Sequence, residues 1–195
     1  MKRRSFDVVA STVGLGLAAL LLVAGGLLTW AHNFIGNEVH TQLAAQKIYF
    51  PPKDSPAIAG PEFNAMRQYA GQQLTTGAQA QTYADHFIAV HLSEVAGGQT
   101  YAQLSAKAQA APADLALQGQ VATMFKGETL RGLLLNAYAF GTMGTIAGIA
   151  ALCAFIAGGA MLALGFLGLW HSRRVADDVE VLTPHNTRHA EPVLV

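Results

Sequence analysis

The chain has 195 residues, of which 52% are hydrophobic and only 12% are charged. Twelve Lys and Arg balance twelve Asp and Glu, which argues against a nucleic-acid binder that relies on excess positive charge. A soluble domain is about a quarter charged, so the low charge argues against an ordinary soluble globule, and the hydrophobic content argues against a disordered chain. The single cysteine excludes an internal disulfide framework and a cysteine-rich metal site. The composition therefore indicates a membrane protein.

The first long apolar stretch runs from Val8 to Ala31 and contains no Asp, Glu, Lys or Arg. At about 1.5 Å per helical residue, this stretch can cross the ~30 Å hydrocarbon core of a bilayer. The basic residues 2–4 precede it and Trp30 lies at its far end, a pairing of anchors typical of a transmembrane helix. A signal peptide cleaved after small residues near Ala31 is the alternative, but signal peptides usually have only ~7–15 apolar residues.

Residues 32–131 are predicted to form a small helical domain with six basic and seven acidic residues. Asn37–Phe50 continues the first helix until Pro51-Pro52 ends it, because proline removes a backbone donor and disfavours a helical conformation before it. A second short helix is predicted to begin at Pro61 and to be closed by Gly71.

Two capping boxes mark the helices that follow. Thr76 with Gln79 and Thr100 with Gln103 each place a hydroxyl and an amide where they can satisfy free backbone amides. Gly97-Gly98 is predicted to end the helix that starts after Thr76. The apolar face of that helix is predicted from residues spaced by three or four: Ala80, Tyr83, Ala84, Phe87, Ile88, His91 and Val95.

The second uncharged stretch, Gly132–Trp170, has 39 residues and is too long for one perpendicular crossing. Two crossings of ~17–20 residues would leave no turn, so we predict one long helix that is embedded in the membrane from about Thr145. Basic residues 2–4 and 173–174 flank the two apolar stretches, which predicts that both termini are cytoplasmic and that residues 32–131 are extracytoplasmic. Residues 1–7 are thus a basic cytoplasmic N-terminus, and residues 171–195 are a flexible cytoplasmic tail at the plasma membrane.

Small residues form stripes on both predicted spans. They let helices approach closely, and in lipid this packing drives association. These small residues either pack the two helices of the chain against each other or face a partner. Both can be true, because two helices that touch along one stripe leave other surface free. The candidate interface residues are Gly14, Ala18, Gly144, Gly148, Ala151, Ala154, Gly158 and Gly165.

The titratable residues form no recognisable catalytic or metal-binding pattern. His86 and His91 lie about 140° apart on a helix, His91 and Glu94 lack a third ligand, and His185 and His189 lie in the predicted flexible tail. Cys153 lies within an apolar span, where a thiol is inert. We therefore expect no catalytic, cofactor-binding or metal-ligating residue, and no enzyme activity.

Several passages resemble a group of actinobacterial two-span membrane proteins of unassigned function. They are KRRSFDV (residues 2–8), QKIYFPP (46–52), YAGQQLTTGA (69–78) and LRGLLLNAYAF (130–140). The resemblance extends to about Arg174 and implies an envelope protein, but it carries over no site residues. Some such sequences are named automatically as ring-opening dioxygenases, yet this sequence shows no clustered pair of histidines with a carboxylate to hold iron.

We expect a non-enzymatic accessory or scaffold subunit of a cell-envelope membrane complex. Its partners would be membrane lipids and other envelope membrane proteins or further copies of the chain, without nucleic acid. The alternative is an extracytoplasmic module that binds a lipid or another apolar small molecule. Eight exported aromatic residues suggest this alternative, although they equally suit a core: Tyr49, Phe50, Phe63, Tyr69, Tyr83, Phe87, Tyr101 and Phe125.

Overall fold

A computed structural model describes residues 3–174, and within them the chain is all-α. The helical expectation is confirmed: in this part of the chain no β-strand occurs, and an isolated bridge joins Tyr49 to Gln73. Most of the predicted tail, with His185 and His189, lies outside the described residues. The helices are α1 (Arg3–Ala45), α2 (Gly77–Tyr83), α3 (Ala89–Ala96), α4 (Tyr101–Ala110) and α5 (Leu115–Ser172).

The two long helices, α1 and α5, are each long and apolar enough to cross a membrane. Contacts divide the described chain into two compact units. The helix-pair unit contains residues 3–28 of α1 and 150–174 of α5, and the helical-domain unit is Thr29–Ile149.

The helical-domain unit has a continuous apolar core that draws on every part of its sequence. The rest of α1 and α5 contribute Leu43 and Leu134, and the segments between them contribute most of the remaining side chains. Burial of such side chains is worth roughly 1.5–3 kcal/mol each, so the core can hold short helices that would be marginal alone. The largest fully buried side chains are Phe50, Ile58, Met66, Leu74 and Leu134.

The end of α1 differs from the prediction of a helix over Asn37–Phe50. The helix ends at Ala45, and Lys47 adopts a left-handed φ of 54°. Phe50 then donates a backbone hydrogen bond to the carbonyl of Gln72 at 2.9 Å. The chain turns before the prolines because this extended pairing places Phe50, only 1% exposed, in the core.

The prediction of one helix from Pro61 to Gly71 is wrong. Two short 3-10 turns, Pro61–Phe63 and Met66–Tyr69, replace it, and they turn Phe63 and Met66 into the core. Gly71 does adopt the left-handed conformation that the sequence suggests, with φ of 74°.

Both predicted capping boxes are present, at Thr76 with Gln79 and at Thr100 with Gln103. Gly97, with φ of 56°, ends α3 as predicted.

The predicted apolar face continues only in part, because a π-helical turn, Ala84–Ile88, separates α2 from α3. A π-helical turn contains one residue more than an α-helical turn, which shifts the buried side of the helix. The buried residues that follow are Leu92 and Ala96, whereas Val95 is exposed.

The second long helix is one unbroken element, as predicted, and passes through Gly158-Gly159 without a turn. It begins at Leu115 instead of Gly132, the start that the charge-free stretch suggested. The charged residues Lys126, Glu128 and Arg131 therefore belong to the same helix as the apolar stretch. Absence of charge marks an apolar environment and gives no signal for the end of a helix.

Candidate functional site

Most of the predicted small residues pack the two long helices against each other inside the helix-pair unit. A methyl group on Gly158 would lie 3.1 Å from Cδ2 of Leu22, and one on Gly165 would lie 2.7 Å from Cδ2 of Leu15. Ala18 and Ala151 are buried, and Ala154 is half-buried. This side of the helix pair is thus occupied by contacts within the chain.

Gly14 differs from the other candidates, since a methyl group there would meet nothing within 4 Å. The same holds for its neighbour Gly16. Gly14 is half-buried and Gly16 is exposed, so both lie on a part of α1 that has room for another side chain.

Gly144 and Gly148 lie in the helical-domain unit and accommodate His32 of α1. Nδ1 of His32 lies 2.8 Å from the carbonyl oxygen of Gly144, within hydrogen-bond distance. A methyl group on Gly148 would lie 2.9 Å from the same ring nitrogen. The sequence signalled the two glycines but not the histidine that fits against them.

The aromatic residues of the helical-domain unit pack mainly against one another. Phe50 contacts Tyr69 and Tyr83 with ring centroids 5.2 and 5.4 Å apart, and Tyr83 contacts Phe87 at 4.8 Å. Burial raises the pKa of the Tyr83 phenol, because the charged form would lose hydration. Phe50 belongs to the core of the domain and the other three rings pack against it. None of them lines the cavity of about 520 Å³ or that of about 410 Å³ in the helical-domain unit.

The histidines with possible chemical roles are held in ordinary structural settings. Nδ1 of His91 lies 2.8 Å from the carbonyl oxygen of Phe87, and the ring packs against Phe63 and Phe87. His86 and Glu94 are exposed. Among residues 3–174, no group of three His, Cys, Asp or Glu side chains is placed to hold a metal ion.

An apolar groove of about 520 Å³ lies between α1 and α5 within the helical-domain unit. Phe34, Leu133, Phe140 and Met143 line it and are each more than half exposed. Glu38 is the single charged residue in the lining, and Gln42 and Gln46 are the other polar ones. The remaining lining residues are Ile35, Val39, Leu43 and Ala137.

Sequence reasoning missed this groove, although one signal pointed to it. The charge-free stretch Gly132–Trp170 is roughly 58 Å long as a helix, about twice a ~30 Å bilayer core. Apolar side chains on α5 must therefore lie outside any single perpendicular crossing. Phe34 gave no comparable signal, because its place opposite Phe140 and Met143 depends on how α1 pairs with α5.

Comparison with known proteins identifies no relative: the chain matches no protein-family model, no curated protein and no solved structure. Its function must therefore be argued from the geometry of its own residues. The apolar groove is the feature that this geometry leaves accessible, and it has the size of an ordinary small-molecule site, which is about 300–1,000 Å³.

Proposed function

We propose that the protein is a two-span protein of the plasma membrane, with residues 32–131 extracytoplasmic and both termini cytoplasmic. The proposal is supported by exposure: only 17% of the most apolar window of each long helix is buried within the protein. The core helix of a soluble protein would be mostly buried, whereas a helix in lipid exposes its apolar surface. Basic residues before the first span and after the second support the orientation.

Cysteine labelling tests this topology. Single cysteines replace Ser93 and Ser5, both exposed, in a Cys153→Ala background. A membrane-impermeant maleimide added to intact cells should modify Ser93→Cys, and should modify Ser5→Cys only after permeabilisation. Labelling of Ser5→Cys in intact cells would overturn the orientation, and so would protection of Ser93→Cys.

We further propose that the extracytoplasmic domain binds the acyl chain of a membrane lipid in the apolar groove. The groove is the single observation that carries this function. Its lining on α5 belongs to the same charge-free stretch that supplies the second span. Each buried methylene of an acyl chain contributes about 0.8 kcal/mol, which is enough to hold a chain in a site of this volume.

The polar residues of the groove favour a lipid whose headgroup carries no net negative charge. Glu38 and Gln42 lie on the last turns of α1, and Gln46 directly follows its end. A carboxylate repels an anionic headgroup, whereas two amides offer both donors and acceptors. We therefore expect a neutral or zwitterionic lipid in preference to an anionic one.

Tryptophan quenching by lipids with brominated acyl chains tests the groove. In a Trp30→Phe, Trp170→Phe background, Leu133→Trp places one reporter in the groove. Residue 133 lies roughly 18 Å along the helix from the proposed bilayer boundary near Thr145, so bulk lipid cannot reach it. Quenching of Leu133→Trp in nanodiscs is the expected result.

Leu130→Trp is the matched control, because Leu130 is on the same helix but does not line the groove. It lies further from the proposed boundary and should not be quenched. Equal quenching at the two positions would indicate contact with bulk lipid. No quenching at Leu133→Trp would overturn acyl-chain binding, and quenching only when a partner protein is omitted would point to a protein in the groove.

The second candidate is a non-enzymatic accessory or scaffold subunit of an envelope complex. The observation that favours it is the open surface around Gly14 and Gly16, where a helix of another envelope protein or of a second copy can approach closely. Gly14→Leu should abolish a crosslinked complex recovered in mild detergent. Gly159→Leu is the control, since Gly159 is also open but lies on α5, and an unchanged complex in Gly14→Leu would count against this surface.

A further inference from the structure

A second cleft in the helical-domain unit differs from the apolar groove in its chemistry. This hydroxyl cleft has a volume of about 410 Å³ and lies between α1, the start of α2 and α5. No Asp, Glu, Lys or Arg lines it. Its polar side chains are His40, Thr75, Thr76, Tyr138, Thr142 and Thr145.

Close backbone approach holds one wall of the hydroxyl cleft in place. A methyl group on Gly77 would lie 3.1 Å from the carbonyl oxygen of Ala137, tighter than most real contacts. One on Gly141 would lie 3.4 Å from Cα of Gly77. The start of α2 therefore rests on α5, and this contact places Thr75 and Thr76 beside the threonines of α5.

The two threonines that α5 contributes to the cleft have already donated their protons. Thr142 donates to the carbonyl of Tyr138 at 3.0 Å and Thr145 donates to that of Gly141 at 3.1 Å. Oε1 of Gln79 lies 3.3 Å from the hydroxyls of Thr75 and Thr76 but already accepts their backbone N–H groups at 2.8 and 3.1 Å, and the Thr76 hydroxyl accepts the backbone N–H of Gln79. Since a hydroxyl has one proton and two lone pairs, Thr142 and Thr145 have acceptor capacity left for a ligand, and Thr75 and Thr76 can also donate to one.

The uncharged, hydroxyl-bearing lining of the cleft favours some classes of ligand over others. A lining that offers both acceptors and hydroxyl donors is matched by a ligand whose own groups donate and accept, as O–H groups do. A cation would lose hydration in the cleft without meeting a carboxylate, and this loss is expensive. A neutral ligand with several hydroxyls meets the acceptors without that penalty, and Tyr138 adds an apolar ring with a polar tip.

We propose that the hydroxyl cleft binds a neutral, hydroxyl-rich group of the carbohydrate class. The group can come from the headgroup of a glycolipid or from a soluble saccharide. This site is separate from the acyl-chain function, because the hydroxyl cleft and the apolar groove share only Val39 in their linings.

The test uses the full chain in phosphatidylcholine nanodiscs and has two arms. In the first, soluble maltose is added and binding is measured by saturation-transfer NMR. In the second, the nanodiscs contain a glucosyl diacylglycerol, and bound lipid is measured by native mass spectrometry. Binding in either arm supports the cleft and identifies the source, whereas binding in neither arm overturns the proposal.

Gly36→Leu is the decisive variant. Gly36 lines the cleft, and a methyl group on it meets nothing within 4 Å. Leucine is also a better helix former than glycine, so the unfolding temperature should be unchanged or higher while sugar binding weakens at least tenfold. Unchanged sugar binding in this variant would place the sugar elsewhere and overturn the proposal.

Threonine-to-valine variants supply a matched comparison. Thr142→Val removes an acceptor of the cleft and should weaken sugar binding severalfold. Thr129→Val is the control, because Thr129 makes the same bond to a carbonyl one turn earlier on α5 but lies outside the cleft. Equal effects of the two variants would contradict the assignment, and so would stronger binding of choline than of maltose to the original chain.

Discussion

Nδ1 of His32 lies 2.8 Å from the carbonyl oxygen of Gly144, so a polar ring of α1 is inserted against α5 where α5 has no side chain. Gly148 completes the fit, since a methyl group on it would lie 2.9 Å from the same nitrogen. The spacing Gly144-x-x-x-Gly148 therefore accommodates a histidine of the same chain.

We expect the free energy of unfolding of Gly148→Ala to be about 1–2 kcal/mol lower than that of Gly132→Ala, because the added methyl group must displace the His32 ring. Gly132→Ala on the same helix is the control. A methyl group there meets nothing within 4 Å, so this change should stabilise the protein by up to about 1 kcal/mol. Thermal unfolding in detergent measures both, and equal shifts would contradict the contact.

Adjacent leucines on α5 have different roles. Leu134 is 1% exposed and lies in the core, whereas Leu133 is 60% exposed and lines the apolar groove. Leu134→Ala should cost about 2–5 kcal/mol of unfolding free energy, and Leu133→Ala should cost less than about 0.5 kcal/mol. A large loss in Leu133→Ala would mean that this side chain is covered in the folded protein.

The π turn places Asp85 where it reaches α5. Oδ1 of Asp85 lies 3.1 Å from Nη2 of Arg131, and about a third of each side chain is exposed. Asp85→Asn should therefore cost only about 0.2–1 kcal/mol, and the difference should shrink as salt is added. Glu94→Gln, at an exposed position of α3, should change nothing, and a salt-independent loss in Asp85→Asn would argue against an ionic contribution.

The phenol of Tyr83 predicts a loss of stability at alkaline pH. Burial raises its pKa in the folded protein above its ordinary value, which is about 10. Below that value both states are protonated, but as the pH rises further the unfolded chain ionises first. Unfolding free energy should then fall until the folded pKa is passed.

Tyr83→Phe should reduce this alkaline slope, because it removes the buried hydroxyl. Denaturant titrations at several pH values above about 9 measure the slope. Identical slopes for the original chain and Tyr83→Phe would contradict the assignment.

Local signals in the sequence were sufficient for several elements. The capping boxes at Thr76 and Thr100 depend on side chains only three residues from their partners, so no distant contact was needed to recognise them. Gly97 ends α3 for a similar reason, since its left-handed conformation is a property of one residue. The apolar character of the two long helices likewise depends only on which residues follow one another along the chain.

Distant contacts explain the predictions that were wrong. The turn at Lys47 exists because Phe50 pairs with Gln72 and enters a core built from the whole domain. The π turn shifts the buried face to Leu92 and Ala96, and no periodic pattern anticipated an extra residue in the repeat.

The low charge and high hydrophobicity of the chain already indicated two long apolar helices, because transfer of side chains out of water depends mainly on composition and run length. Composition could not indicate which small residues would be used inside the chain. That depended on the pairing of α1 with α5, which covers Gly158 and Gly165 but leaves Gly14 open. Within the helical-domain unit, α1 and α5 both border the apolar groove and the hydroxyl cleft, and a cavity exists only where surfaces from separate helices fail to fill the space between them.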